Sequence, residues 1–294
     1  MNADQGLGKY QRKLWFWLNR IVNGLSSLQT PSDLRVANYS PHITSVLWKQ
    51  LPATSSPSRR LSDLFWLDLP WDKTCAGLGE VRVLDAGCGS GNLALTLWEQ
   101  SRGRIERYVG FDIDEHPNWA QLRAEHNWAS FLRGDSSEVR SFIPDNTNLF
   151  VSQSAIEHFP EDLTFFGGIS NYLKAYGKPA LQIHLFPSVA CLRLYGLHGI
   201  RQYSPGSVAR ITRLFDGFSS SMLYKLGGAA VNQLHYDFIT KPLSEGKPDR
   251  RNTETDKYNQ NMLEVIATDA AHDDPEAGFY ALVIESFMER PNFT

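Results

Sequence analysis

The 294 residues, 42% hydrophobic and 21% charged, have the composition of a soluble globular chain, long enough to bury a full core in one large domain with extensions. A formal net charge of -3 supplies no basic excess, so a nucleic-acid partner is not expected, and no apolar run is long enough to span a bilayer. Cys75, Cys88 and Cys191 have neither metal-like spacing nor the even count of a disulfide framework, which points to a reducing, cytoplasmic compartment.

In chain order, residues 1–78 read as a helical extension and linker. "LGKYQRKLWFWLNRIVNGLSSL" sets Leu7, Tyr10, Leu14, Trp17, Leu18, Ile21 and Leu25 at helical spacing, with Lys9, Arg12, Lys13 and Arg20 beside them. The spacing favours a helix packed on the domain. Its aromatics and basic residues also suit an interfacial helix on an anionic membrane surface. "PATSSPSRR" reads as a linker and "LSDLFWLDLPW" as an apolar approach segment.

Residues 79–294 read as an α/β domain. "VRVLD", "RYVGFDID", "ASFLRGD", "NLFVSQS" and "PALQIHLF" are strands. Helical stretches such as "NLALTLWEQ", "NWAQLRAEHN" and "EDLTFFGGISNYLKAY" separate most of them, the alternation of a parallel sheet covered on both faces. "SPGSVARITRLF" follows as a helix with a Ser204 cap and Pro205 in its first turn. "SSSMLYKL" and "FYALVIESF" close the domain as strands. The long polar stretch between them, about 231–278, reads as an insertion, because loops of that length inside a domain are uncommon and tend to be functional or disordered.

The first strand runs into "DAGCGSG". Gly87, Gly89 and Gly91 lie in the turn, where missing side chains let a ligand approach the backbone. The dinucleotide fingerprint G-x-G-x-x-G is not met: its third glycine comes one residue early and Asn92 holds the required place. Asp85 before the loop would oppose a pyrophosphate and suits a ligand carrying positive charge. S-adenosylmethionine has an ammonium and a sulfonium and no phosphate. Asp112 ends the second strand, where a carboxylate accepts from both ribose hydroxyls, and Asp135 ends the third, where it accepts from an adenine amino group. Each acid alone reads as a helix cap; three at successive strand ends read as a ligand site.

With "LDAGCGSG", "GFDID", "LRGDSS" and "LFVSQSAIEHFPED" in this order, the chain resembles the class I S-adenosylmethionine-dependent methyltransferases over about Val81 to Phe186. The resemblance implies a Rossmann-like, seven-stranded, mostly parallel sheet with an antiparallel last strand. It places Asp85, Gly87, Cys88, Gly89 and Gly91 around the methionine part, Asp112 and Ile113 at the ribose and adenine edge, Asp135 and Ser136 at the adenine, and Gln153 and Ser154 beside the sulfonium. "SDLFWLDLPW" and "HGIRQYSPGSVARITRLF" are similar to segments of methyltransferases associated with bacterial surface-polysaccharide assembly. This implies a sugar or glycan acceptor; on the interfacial reading of its own residues, the N-terminal helix would contact the inner face of the membrane or a glycan-assembly partner.

For the acceptor atom, "SQSAIEHF" stands where amide- and base-methylating relatives carry an Asn- or Asp-Pro-Pro-aromatic tetrapeptide, so a hydroxyl is favoured. His158 is the expected general base, against a plain helix-capping role of equal weight. His184, His198, Arg201 and Tyr203 are expected at the acceptor, with His184 also readable as a core histidine. No catalytic metal is expected. The alternatives are O-methylation of a quinone or other small metabolite, a catalytically silent cofactor-binding module, and a nicotinamide-dependent dehydrogenase, the last disfavoured by the glycine spacing.

Overall fold

The computed structural model describes residues 9–27, 34–195, 198–273 and 276–288. An eight-stranded sheet forms its centre: β1 (Arg35–Asn38), β2 (Val81–Ala86), β3 (Ile105–Asp112), β4 (Ala129–Arg133), β5 (Leu149–Gln153), β6 (Ala180–Pro187), β7 (Ser219–Leu226) and β8 (Phe279–Ser286). The spatial order is β1-β7-β8-β6-β5-β2-β3-β4. β8 runs antiparallel to both neighbours, β6 and β7, and the remaining pairings are parallel. Seven of these strands are those the sequence predicts. The eighth, β1, comes from the extension and adds an edge beside β7, a pairing that four residues of modest apolar content do not announce.

Alternation along the inner strands explains why the sheet is covered twice. Val81 and Val83 of β2, and Ala281 and Val283 of β8, enter one apolar cluster; Leu84 and Ala86, and Leu282 and Ile284, enter the other. The first cluster is closed by helices such as Pro57–Leu67, Asn92–Gln100 and Thr255–Ala271, the second by Asp162–Tyr176 and Pro205–Thr212. Strands buried on both faces in this way are a property of α/β sheets.

Two segments differ from the sequence reading. Residues expected as linker start a helix at Pro57, where the Ser56 side chain accepts from the Arg59 amide. That helix buries Leu61, Leu64, Phe65 and Trp66 against the domain, so the extension is partly integrated. The expected insertion at 231–278 is largely helical. Tyr258, Met262 and Ile266 are buried at a one-turn spacing under the polar face of Thr255–Ala271. High overall polarity hid a narrow apolar stripe. The N-terminal helix, Lys9–Ser27, lies alongside Pro205–Thr212 and leaves Tyr10, Leu14, Trp17 and Ile21 exposed.

Chain direction fixes where a ligand can sit. From β2 the chain moves through β3 to β4 on one side, then returns to place β5 on the other. The reversal opens a crevice beyond the carboxyl ends of β2 and β5, the place where such sheets bind ligands.

Candidate active site

A cavity of about 680 Å³ occupies that crevice. Its walls come from the ends of four strands: Gly87, Cys88, Gly89 and Ser90 after β2, Asp112 and Ile113 at β3, Gly134, Asp135 and Ser136 after β4, and Gln153, Ser154 and Ala155 at β5. His158, Phe159, Pro160 and Ile200 close the remaining side.

The glycine loop owes its course to positive φ. Gly87 sits at φ +70, and a Cβ there would lie 2.4 Å from Cβ of Ala155, so no other residue lets the loop pass this close to the turn after β5. Gly91, expected at the ligand, is absent from the cavity wall. Its φ is +79 and a Cβ would meet Phe131 at 2.5 Å and Leu122 at 2.9 Å. It is glycine so that the Asn92–Gln100 helix can start against the neighbouring strand and helix.

Asp112 holds the loop. Oδ2 accepts from the Gly89 amide at 2.8 Å and Oδ1 from its neighbour Ile113 at 2.7 Å, leaving further lone pairs on both oxygens for ligand hydroxyls. Asp135 Oδ1 accepts from the amide and hydroxyl of Ser137. Those bonds hold its pKa below the usual carboxylate value. The cap and the ligand wall are therefore the same residue. Gln153 is fixed by Trp66, whose indole N–H donates to Oε1 at 2.8 Å; the extension thus positions a cavity residue.

Asp85 is a correction. It is buried beneath the loop, its carboxylate accepts from the Tyr108 hydroxyl, and it does not line the cavity. Burial raises its pKa to about 7, so it gives the site no full negative charge at neutrality. Strand alternation puts Asp85 on the face of β2 that carries Val81 and Val83, the same face on which Tyr108 of β3 lies.

Three expected acceptor residues also lie elsewhere. His184 is buried in the sheet, with Nδ1 2.8 Å from the Ser152 hydroxyl and its ring edge-on to Phe165 and Phe166. Burial pushes its pKa down to about 3. Arg201 donates to the carbonyls of Phe159 and Pro160 and pairs with Asp162 at 2.8 Å. Tyr203, buried, donates to the Ile156 carbonyl and to Asp162. The last two clamp the loop rather than face a ligand. His198 does reach the site region, lining an adjoining cavity of about 170 Å³ with Ser154, Glu157 and Gln202.

His158 stands at the end of a short turn, Ile156–His158, and faces the larger cavity. Its Nε2 is 3.9 Å from Oε1 of the buried Glu157, and Nε2 of His198 is 3.7 Å from the same oxygen. The imidazoles meet edge to face, centroids 4.8 Å apart. Sequence reading offered the two histidines separately; their grouping around Glu157 depends on the loop after β6 folding back over the turn after β5.

The walls also bear on the ligand class. They contain acids, amides and hydroxyls, and no lysine or arginine among the described residues. Such a set fits a cationic, hydroxyl-bearing nucleoside, as S-adenosylmethionine is. Asp112 would hold the ribose, Asp135 and Ser136 the adenine, and the glycine loop with Gln153 the methionine end.

Comparisons agree. Residues 83–177, less than half of the chain, match a protein family described as a methyltransferase domain. No protein of curated function matches in sequence. Among solved structures, a candidate sarcosine dimethylglycine methyltransferase from Galdieria sulphuraria is 15% identical with TM-score 0.49, over 78% of this chain and 86% of the other. A methyltransferase from Archaeoglobus fulgidus is 16% identical with TM-score 0.43, over 83% and 100%. Scores below 0.5 at such identity say nothing of substrate. Residues 83–177 therefore carry a methyltransferase domain, and the cavity that this segment lines suits S-adenosylmethionine as its cofactor.

Proposed function

We propose that the methyl group goes to a hydroxyl oxygen, and that the hydroxyl belongs to a sugar or surface glycan. The observation that carries the oxygen acceptor is the cluster of Glu157, His158 and His198 at the cavity wall, with no Asn- or Asp-Pro-Pro-aromatic segment after β5. When bound, the cofactor supplies an electrophilic methyl group. The chain's own work is to hold the acceptor oxygen in line with that methyl and to help its proton leave. His158 is the member of the cluster that faces the cofactor cavity, and as a neutral imidazole it takes the proton while the new O–C bond forms. Glu157 and the loop clamped by Arg201 and Tyr203 fix its position.

Support for the glycan is chemical. The adjoining cavity sets Ser58, Ser154, Glu157, His198 and Gln202 beside Pro187, Cys191, Tyr195 and Phe279, so hydroxyls and the C–H face of a sugar ring both find partners there. Peripheral contact with an anionic membrane through the N-terminal helix belongs to the same reading, because surface glycans are assembled on lipid carriers.

His158→Ala tests the chemistry. Turnover should fall roughly a hundredfold to ten-thousandfold, with affinity for S-adenosylhomocysteine unchanged. Turnover near wild type would remove His158 from the mechanism. Labelled cofactor offered with panels of sugars and of phenols separates the acceptors; transfer to phenols alone would sink the glycan reading.

A further inference from the structure

Along the sequence, Glu157 and His158 lack a third ligand at metal spacing. The fold supplies one. One ligand-capable atom from each of Glu157, His158 and His198 lies within 4.8 Å of the other two. The carboxylate has no solvent exposure, whereas the histidine side chains are 27% and 44% exposed. The trio is a cup with a carboxylate floor and two imidazole walls, set at the junction of the cofactor cavity and the adjoining smaller one.

The cup is built rigidly. The Glu157 carbonyl accepts from the amides of Ile200 at 2.7 Å and Arg201 at 3.3 Å. Gly199 sits at φ +67, where a Cβ would lie 2.7 Å from the Glu157 carbonyl oxygen. Glycine there lets the His198 loop lie directly on the Ile156–His158 turn. Arg201 ties the same loop to Phe159 and Pro160. His198 is thus held beside Glu157 by backbone bonds independent of its own side chain.

We propose that Glu157, His158 and His198 bind a divalent first-row transition ion, and that the acceptor hydroxyl takes an open position on it. The Glu157 Oε1–Nε2 separations of 3.9 and 3.7 Å are a few tenths wider than the ~3.4 Å between tetrahedral ligands about 2.1 Å from zinc. Side-chain adjustment closes that difference. Two imidazoles with one carboxylate select zinc, manganese, iron or cobalt over magnesium and calcium, which prefer all-oxygen shells. Three protein ligands leave positions open for substrate.

The inference rests on the hydroxyl-acceptor reading and changes how the proton is lost. On the ion, the hydroxyl becomes more acidic and its proton passes to solvent. The oxygen lone pair then forms the O–C bond to the methyl carbon as the C–S bond breaks, its electron pair staying on sulfur. His158 holds the ion in this form rather than the proton.

The test is direct binding. Chain stripped with chelator is titrated calorimetrically with Zn²⁺ and Mn²⁺ in the presence of S-adenosylhomocysteine, and Co²⁺ loading is followed by its visible absorption. One ion per chain is expected, with affinity at least tenfold weaker in His198→Ala and in Glu157→Gln. Affinity for S-adenosylhomocysteine should be the same in all forms. Because Glu157 is buried, its variant is also checked by melting, and His198→Ala carries the test independently. Absence of stoichiometric binding to the wild type, or binding unchanged in His198→Ala, overturns the site. Turnover on hydroxyl acceptors that survives chelation overturns the ion and leaves the hydroxyl-acceptor reading standing. Stoichiometric binding lost in His198→Ala, without transfer to any hydroxyl, upholds the site and sinks that reading instead.

Discussion

At the scale of single residues, the site is a matter of which side chains a strand end can present. Asp112 and Asp135 were legible as cavity-wall residues because a β-strand running into a helix leaves its last side chain beyond the sheet. Asp85 and His184 were less so, because position along a strand does not say which side chains the neighbouring strand and helix will cover. Asp112→Ala measures the difference. It removes the acceptor for the Gly89 amide and the carboxylate proposed to accept from both ribose hydroxyls, so S-adenosylhomocysteine affinity should fall by about 2–4 kcal/mol. Calorimetry checks it. Equal affinity in wild type and variant would mean the ribose lies elsewhere.

At the scale of elements, two segments act beyond their local pattern. Asp269, on the Thr255–Ala271 helix, accepts from the backbone amides of Gly228, Ala230 and Val231 at 2.6, 3.1 and 2.9 Å. It therefore caps the Ala229–His235 helix from another helix, and joins the predicted insertion to the body. Asp269→Ala should cost about 2–4 kcal/mol of stability, since it strands several donors at once. Urea melts read this, and a change under about half a kilocalorie would show that solvent replaces the cap. The N-terminal helix has no acid from Gln5 to Thr30, and Tyr10 and Trp17 are 87% and 58% exposed. Trp17→Ala with Leu14→Ala should weaken sedimentation with anionic phosphatidylglycerol vesicles roughly tenfold or more, given ~1.5–3 kcal/mol for each large apolar side chain removed from water. Wild-type chain that leaves such vesicles free in solution would end the membrane reading.

For the whole molecule, buried ionisable groups tie stability to pH. His184 and His235 have folded pKa values depressed to about 3 and about 4, chiefly by burial. The unfolded chain takes up their protons first. Their contribution is intact above the unfolded histidine pKa near 6.5 and is lost as pH falls towards 4, at about 1.4 kcal/mol per pH unit for each. Asp85 works the other way: its raised pKa favours the fold at low pH and loses that advantage as pH climbs towards 7. His184→Asn should lower stability throughout and flatten its fall between pH 6 and 4.5, seen in urea melts at each pH; parallel wild-type and variant curves would show that the buried imidazole is not the titrating group. The sequence by itself determined the order of strands and helices, the glycine turn and the acids at the ends of β3 and β4, since all of these follow from patterns within a few residues. Only tertiary structure decided that β1 joins the sheet, that the polar stretch before β8 packs as helices, and that His198 meets Glu157 and His158. Those outcomes depend on which distant surfaces bury one another, and a loop's path over a neighbouring turn is set by long-range hydrogen bonds that no local spacing encodes.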